Sequence, residues 1–188
     1  MSEIKFGTDG WRAIVAREFT FANIKLVTQA IANYVKSHNL SKKGIVIGYD
    51  HRFLSEHFAD ECARVITANG IRVMATTKAV PTPLAAYAIR LFQAGGAIMI
   101  TASHNPPEYN GIKFIPEYAG PALPDVTQAI EEEVRRIQAG GRVYELDLKE
   151  ARDLDLYKEI DIDRDYYNQI LKVLQPGTFR QRPLKVVV

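Results

Sequence analysis

The chain has one cysteine, Cys62, among 188 residues. A lone cysteine makes neither an internal disulfide nor a thiolate metal cage, which fits a reducing cytosol. No apolar run approaches the roughly 18 residues that a membrane span needs; Ala97-Ile98-Met99-Ile100 is among the longest. The N-terminus, MSEIKFGTDGW, lacks the apolar stretch of a secretory signal. Neither sign of charge dominates: 24 Lys and Arg face 22 Asp and Glu, a formal net charge of +2. With no Lys/Arg-rich tract, nothing calls for nucleic acid or an anionic membrane as partner. A composition of 47% hydrophobic and 24% charged residues excludes disordered and fibrous classes. The expectation is a soluble, cytoplasmic protein: one domain, or one domain and part of another.

What is present is an alternation. Ile24, Val27, Ile31, Tyr34 and Val35 recur at helical spacing after Thr20, a candidate N-cap. Gly44 to Tyr49 is a short apolar run between glycines and reads as a strand buried on both faces. Phe58, Cys62, Val65 and Ile66 stripe a second helix over about 55–69, with Gly70 placed as its left-handed cap. A strand at 71–74, a helix opened by Pro81-Thr82-Pro83 and a buried strand at 97–100 follow. This order predicts a three-layer α/β/α domain with a mixed, mainly parallel sheet. Asn-Pro and Asn-Gly turn signals then lead into a returning strand at 112–115, and a fourth helix is expected over about 125–138.

From Gly140 the texture changes. Residues 145–165 are acidic and weakly periodic, and read as linker and lead-in, with a short helix from Tyr166 to Leu174. Leu184 to Val188 begins a strand at which the sequence stops. The expected division is 1–140 as a domain, 141–183 as linker and lead-in helix, and 184–188 as the first strand of a truncated second domain.

Four polar stretches are candidates for chemistry. Thr101-Ala102-Ser103-His104-Asn105-Pro106-Pro107 follows a buried strand, the end of an open α/β sheet where ligands bind. Ser103 would stand at the mouth of the sheet as nucleophile or phosphate carrier, with His104 beside it and Lys113 on the returning strand. The bland alternative is a polar turn rich in Ser, Asn and Pro. A Ser–His hydrolase is less favoured: no Gly-x-Ser-x-Gly elbow is present, and adjacent side chains on an extended chain point apart. Phe6 to Arg12 holds two glycines around Thr8-Asp9, and Arg12 could meet a phosphate; the alternative is a turn with an exposed arginine. No Gly-Lys-Ser/Thr makes it a Walker loop. Asp50-His51-Arg52, just past the strand that ends at Tyr49, could be functional, but Asp50 and Arg52 read rather as an ion pair tying the loop to a neighbour, and His51 as a surface residue. Asp161-Ile162-Asp163-Arg164-Asp165 fails the EF-hand pattern, since positions six and twelve are Tyr166 and Lys172. It reads as a solvated acidic face.

Together, Phe6–Arg12, Tyr49-Asp50-His51-Arg52, Pro81-Thr82-Pro83, Thr101–Pro106 and Asn110-Gly111-Ile112-Lys113 resemble the α-D-phosphohexomutases in content and order. That family includes phosphoglucomutase and phosphomannomutase, and the likeness covers the first of its four domains, about residues 4–138. The resemblance implies an isomerase, an intramolecular phosphotransferase that interconverts hexose 1-phosphate and hexose 6-phosphate through a hexose 1,6-bisphosphate. It implies that Ser103 carries the phosphate and that an oxygen of that phosphate is one ligand of Mg2+. Arg12 and Lys113 would steady its charge, His104 would join them in catalysis, and Thr8 and Asn105 would contact substrate. The partners implied are small hexose phosphates and the remaining domains II–IV of the same protein.

The family's metal loop, Asp-Gly-Asp-Gly-Asp-Arg, belongs to its second domain and does not occur in this sequence. Ala13 stands where a glycine often follows the arginine. The chain alone is therefore expected to fold without turning over. The alternative class is a non-catalytic phosphohexomutase-like module that binds sugar phosphates or a protein partner.

Overall fold

The computed structural model describes residues 4–7, 10–174, 177 and 185. The expected strand at 184–188 therefore lies, apart from residue 185, outside the described residues, as does Thr8. The described residues form six strands: β1 (Gly10–Ile14), β2 (Ile45–Tyr49), β3 (Val73–Thr76), β4 (Gly96–Ile100), β5 (Tyr109–Pro116) and β6 (Tyr157–Ile160). The α-helices among them are α1 (Phe21–Ser37), α2 (Ser55–Ala68), α3 (Thr82–Phe92), α4 (Pro124–Gln138), α5 (Leu148–Asp153) and α6 (Asp163–Val173).

The strands pair in the order β1-β5-β4-β2-β3-β6. β4, β2, β3 and β6 run parallel. β5 is antiparallel to both β4 and β1, so β5 alone opposes the other strands. Apolar β2 and β4 are buried along almost their whole length, because helices cover both faces. On one face Ile47, Ile98 and Phe114 pack with Ile24, Ile31, Phe58 and Ile130 from α1, α2 and α4. On the other, Val46, Met99 and Ile115 pack with Leu84, Ala88 and Ile89 from α3. The three-layer α/β/α architecture with a mainly parallel sheet is thus the one the alternation predicts.

Local chemistry sets the element ends. The Thr20 hydroxyl accepts from Asn23 N at 3.3 Å and caps α1. The stripe below it, Ile24, Val27, Ile31 and Val35, is fully buried. Phe19 stacks on Trp11 with ring centroids 5.1 Å apart and meets Phe58 edge-on at 4.8 Å. These three rings lock the first strand to the helical layer.

Two segments depart from the sequence reading. Phe6 to Arg12 reads as a glycine loop, yet residues 10–14 form β1, an edge strand. Gly10 is there for close approach: a Cβ on it would lie 2.4 Å from the Ile112 carbonyl oxygen. The second is the stretch expected to be linker. α5 and β6 occupy it, and β6 joins the same sheet beside β3, with Val73 opposite Tyr157 and Thr76 opposite Ile160. Lys158 and Glu159 are exposed, so this short edge strand lacks the apolar run that marks β2 and β4. The helix expected from Tyr166 begins earlier, at Asp163, and Lys78 ion-pairs with Asp161 and Asp163. The acidic segment is therefore tied to the loop after β3.

Phe19 is fully buried between the two other rings. Truncation to alanine should destabilise the fold by about 3–5 kcal/mol, read as a lower urea midpoint at unchanged slope; a shift near zero would remove the ring cluster from the stabilising contacts. Cys62 is fully buried, accepts a hydrogen bond from the Thr28 hydroxyl, and has its thiol pushed up to about 12 by burial. Native protein at pH 8 should resist thiol alkylation and react only on unfolding; prompt native labelling would contradict this packing.

Candidate functional site

β1, β2, β3, β4 and β6 share one direction, so their carboxyl ends lie along one edge of the sheet, where β5 begins. The loop joining β4 to β5 emerges there, directly beside the end of its neighbour β2. The two loops are hydrogen-bonded at their roots: Asp50 N donates to Ile100 O at 3.1 Å and Thr101 N to Gly111 O at 2.9 Å.

Ser103 is exposed at the tip of this loop and has a left-handed backbone, φ 55°. Such a conformation is uncommon for a residue with a Cβ and gathers at functional positions. Three contacts hold it. Ser103 N donates to Thr101 Oγ1 at 3.0 Å, Arg52 Nη2 donates to Ser103 O at 2.8 Å, and Asn105 N donates to Ala102 O at 3.0 Å. The bend also corrects the expectation that neighbouring side chains point apart. Ser103 Oγ lies 3.3 Å from His104 Nδ1, because the turn replaces the extended chain on which that expectation rests. Both residues are exposed.

Asn105 joins two arginines. Its side-chain oxygen accepts from Arg12 Nη1 at 3.1 Å, and its main-chain oxygen accepts from Arg52 Nη2 at 2.7 Å. Arg12 comes from β1, opposite Gly111 on β5. A side chain at Gly111 would collide with Arg12 Cγ at 2.9 Å and with Thr101 O at 2.6 Å. Glycine there lets the arginine lie across β5 towards the serine loop. Lys113 stands two residues further along β5, opposite Gly10. In this register Arg12 and Lys113 share a sheet face, because Trp11, Ala13, Ile112 and Phe114 fill the core on the other. Both cations are half-buried. Lys113 lines a cavity of about 190 Å³ with Thr82, Pro83 and Ile115.

Arg52 is the residue whose reach the sequence reading missed. It is paired to Asp50, Nε to Oδ2 at 3.6 Å, as that reading has it. The neighbour it ties is the Ser103 loop, through the carbonyls of Ser103, Asn105, Pro106 and Tyr109 at 2.7–3.0 Å. The signal available in sequence was its place just past a buried strand; the adjacency of β2 to β4 was not readable there. An open basin of about 660 Å³ lies alongside, lined by Asp50, His51, Arg52, Phe53, Asn105 and Pro107.

A second cleft, of about 270 Å³, opens between α2 and the ends of β2, β3 and β6. Its walls carry Glu56, Asp60 and Glu159 with Tyr49 and Tyr157. Burial pushes the Asp60 carboxyl up, and burial raises both tyrosines. So many acidic groups oppose a phosphate. Arg12 and Lys113 share the sheet face from which Arg12 reaches the serine loop, so a phosphate suits that side rather than this cleft.

No group of three or more His, Cys, Asp or Glu side chains able to hold a metal ion exists among the described residues. No helix among them is long and apolar enough to cross a membrane.

Comparison with known proteins gives the family of the chain. Residues 3–140 match the family model described as phosphoglucomutase/phosphomannomutase, alpha/beta/alpha domain I. The phosphoglucomutase of Staphylococcus saprophyticus is 37% identical over 139 aligned residues, 72% of this chain and 25% of its own. The phosphoglucosamine mutase of Roseobacter denitrificans is 33% identical over 184, 97% of this chain and 39% of its own. A crystal structure from Thermus thermophilus, assigned as a phosphomannomutase, superposes with a TM-score of 0.81 at 31% identity, covering 95% of this chain and 38% of that one. The chain thus spans roughly a quarter to two fifths of the length of these relatives. With the serine loop, its arginines and the three-layer sheet in place, the chain belongs to the phosphoglucomutase/phosphomannomutase family, and residues 3–140 match its domain I.

Proposed function

We propose that Ser103 is the phosphate carrier of a phosphohexomutase, an isomerase that moves a phosphoryl group between the 1- and 6-positions of a hexose. The observation that carries this reading is the exposed Ser103 hydroxyl on a left-handed bend beyond β4, with Arg12 bonded to the adjacent Asn105. Phosphorylated Ser103 donates to the free hydroxyl of a hexose monophosphate. The P–O bond to Ser103 breaks, a P–O bond to the sugar oxygen forms, and the sugar hydroxyl proton leaves. The product is a hexose 1,6-bisphosphate, which turns and returns its other phosphoryl group to Ser103. The serine oxygen gains a proton in the first half and yields it in the second. The 3.3 Å contact of that oxygen with His104 Nδ1 supports His104 as the group that holds the proton.

Phosphoryl transfer asks mainly for positioning and for cations around spreading charge. Arg12 and Lys113, on one face of β1 and β5, supply them. Thr8 and Asn105 are the substrate contacts of this reading. Magnesium, when bound, would shield the phosphoryl oxygens. A phosphoryl oxygen on Ser103 is one ligand this chain would offer; no group of three or more His, Cys, Asp or Glu side chains able to hold the ion exists among the described residues. The reading extends to a cytoplasmic enzyme whose partners are hexose phosphates and its own further domains.

In the full-length protein, Ser103→Ala should lose the phosphate adduct in intact mass and lose conversion of glucose, mannose and glucosamine phosphates alike. Near-wild-type turnover by that variant would sink the assignment. Arg12→Ala and Lys113→Ala should each lower kcat about 10²–10³-fold, the usual loss for one preorganised donor, with little change in melting temperature. A variant that unfolds with no specific loss of turnover would make that residue a structural one.

A further inference from the structure

We infer that Arg52 is a positioning residue, which fixes the Ser103 loop through its backbone and touches neither phosphate nor sugar. The inference rests on Ser103 as phosphate carrier and adds to that reading the device that aims it.

The guanidinium has five N–H groups in a planar fork. Nη1 donates to Pro106 O at 2.9 Å and Tyr109 O at 3.0 Å, Nη2 to Ser103 O at 2.8 Å and Asn105 O at 2.7 Å, and Nε faces Asp50 at 3.6 Å. All four Nη hydrogens thus have carbonyl partners, and Nε is turned to the Asp50 carboxylate as an ion pair, so the fork is committed to the loop backbone. Four carbonyl dipoles meet at one point, an arrangement that repels itself without a cation at its centre. A lysine, with three donors on a compact head, cannot match that fork. Carbonyls drawn onto Arg52 are also held away from the negative charge that Ser103 would carry.

Arg52 is itself anchored. Asp50 Oδ1 accepts from Arg52 N and from Ser55 Oγ, each at 3.0 Å. Ser55 Oγ accepts in turn from Asn110 Nδ2 at 2.9 Å, and both Ser55 and Asn110 are buried. Asn110 lies in β5, where the loop ends, so one polar chain registers the end of β2, the start of α2 and the exit of the serine loop. The left-handed Ser103 persists because these contacts over-determine it.

The test compares Arg52→Ala, Arg52→Lys and Asp50→Asn with Ser103→Ala in the full-length protein, by steady-state kinetics and thermal melting. Arg52→Ala should lower kcat about 10²-fold, the scale of a misplaced reacting group, with KM for the hexose phosphate unchanged. Added guanidinium ion should restore part of that kcat, and should restore none to Arg52→Lys, whose ammonium occupies the space. Asp50→Asn, which keeps the arginine, should lose less kcat in the same direction, and keeps the test decisive if Arg52→Ala does not fold. Wild-type kcat in Arg52→Ala, or a loss confined to KM, would overturn the inference. So would a kcat loss that guanidinium leaves untouched. If Ser103→Ala is inactive while the Arg52 and Asp50 variants are normal, only this inference fails; an active Ser103→Ala removes the parent reading.

Discussion

One guanidinium bound to four backbone carbonyls is the contact on which the candidate site depends. The chain leaving β4 has to reverse into β5 while lifting a small hydroxyl clear of the sheet. Two short turns do this, Asn105 N on Ala102 O and Tyr109 N on Pro106 O, and the Ser103 and Asn105 carbonyls turn instead to a partner outside the loop. Arg52 is that partner. Asp50 fixes it and balances its charge, and α2 starts immediately beyond through Ser55.

The sheet supplies the rest of the geometry. β5 alone opposes its neighbours, which brings the end of the serine loop back under β1. That reversal places Arg12 opposite Gly111 and carries Lys113 to the same face. Glycine at 10 and 111 allows the two backbones to close this tightly. The apolar layers on either side hold the strands still and so give the loops between them a fixed base. The acidic cleft beside α2 lies at the same sheet edge, where β2 and β3 send their helices to opposite faces. Glu56, Asp60 and Glu159 line that cleft, whereas two guanidinium groups, of Arg12 and Arg52, converge on the serine loop.

Much of this is legible in the residues. The stripe Ile24, Val27, Ile31 and Val35 and the runs 45–49 and 97–100 announce buried elements by periodicity and apolarity, and they lie where expected. β1 and β6 are not legible, because each is an edge strand made of glycine, charge and short alternation. The motif carrying Ser103 is visible, and so is its place after a strand. Its left-handed bend is not, since serine carries no mark of positive φ, and the contact with His104 follows only from that bend. Arg52 and its carbonyls are separated by fifty-odd residues; their meeting depends on strand order, which local pattern does not encode.

The central claim is that the serine loop is preorganised by this clamp. Amide hydrogen exchange over residues 101–111 tests it most directly. Asn105 N and Tyr109 N, bonded to Ala102 O and Pro106 O, should be protected although their loop is largely exposed. That protection should vanish in Arg52→Gln while the amides of β2 and β4 keep theirs. Exchange of Asn105 and Tyr109 at the rate of open coil in the unsubstituted protein, or protection indifferent to Arg52, would contradict the account.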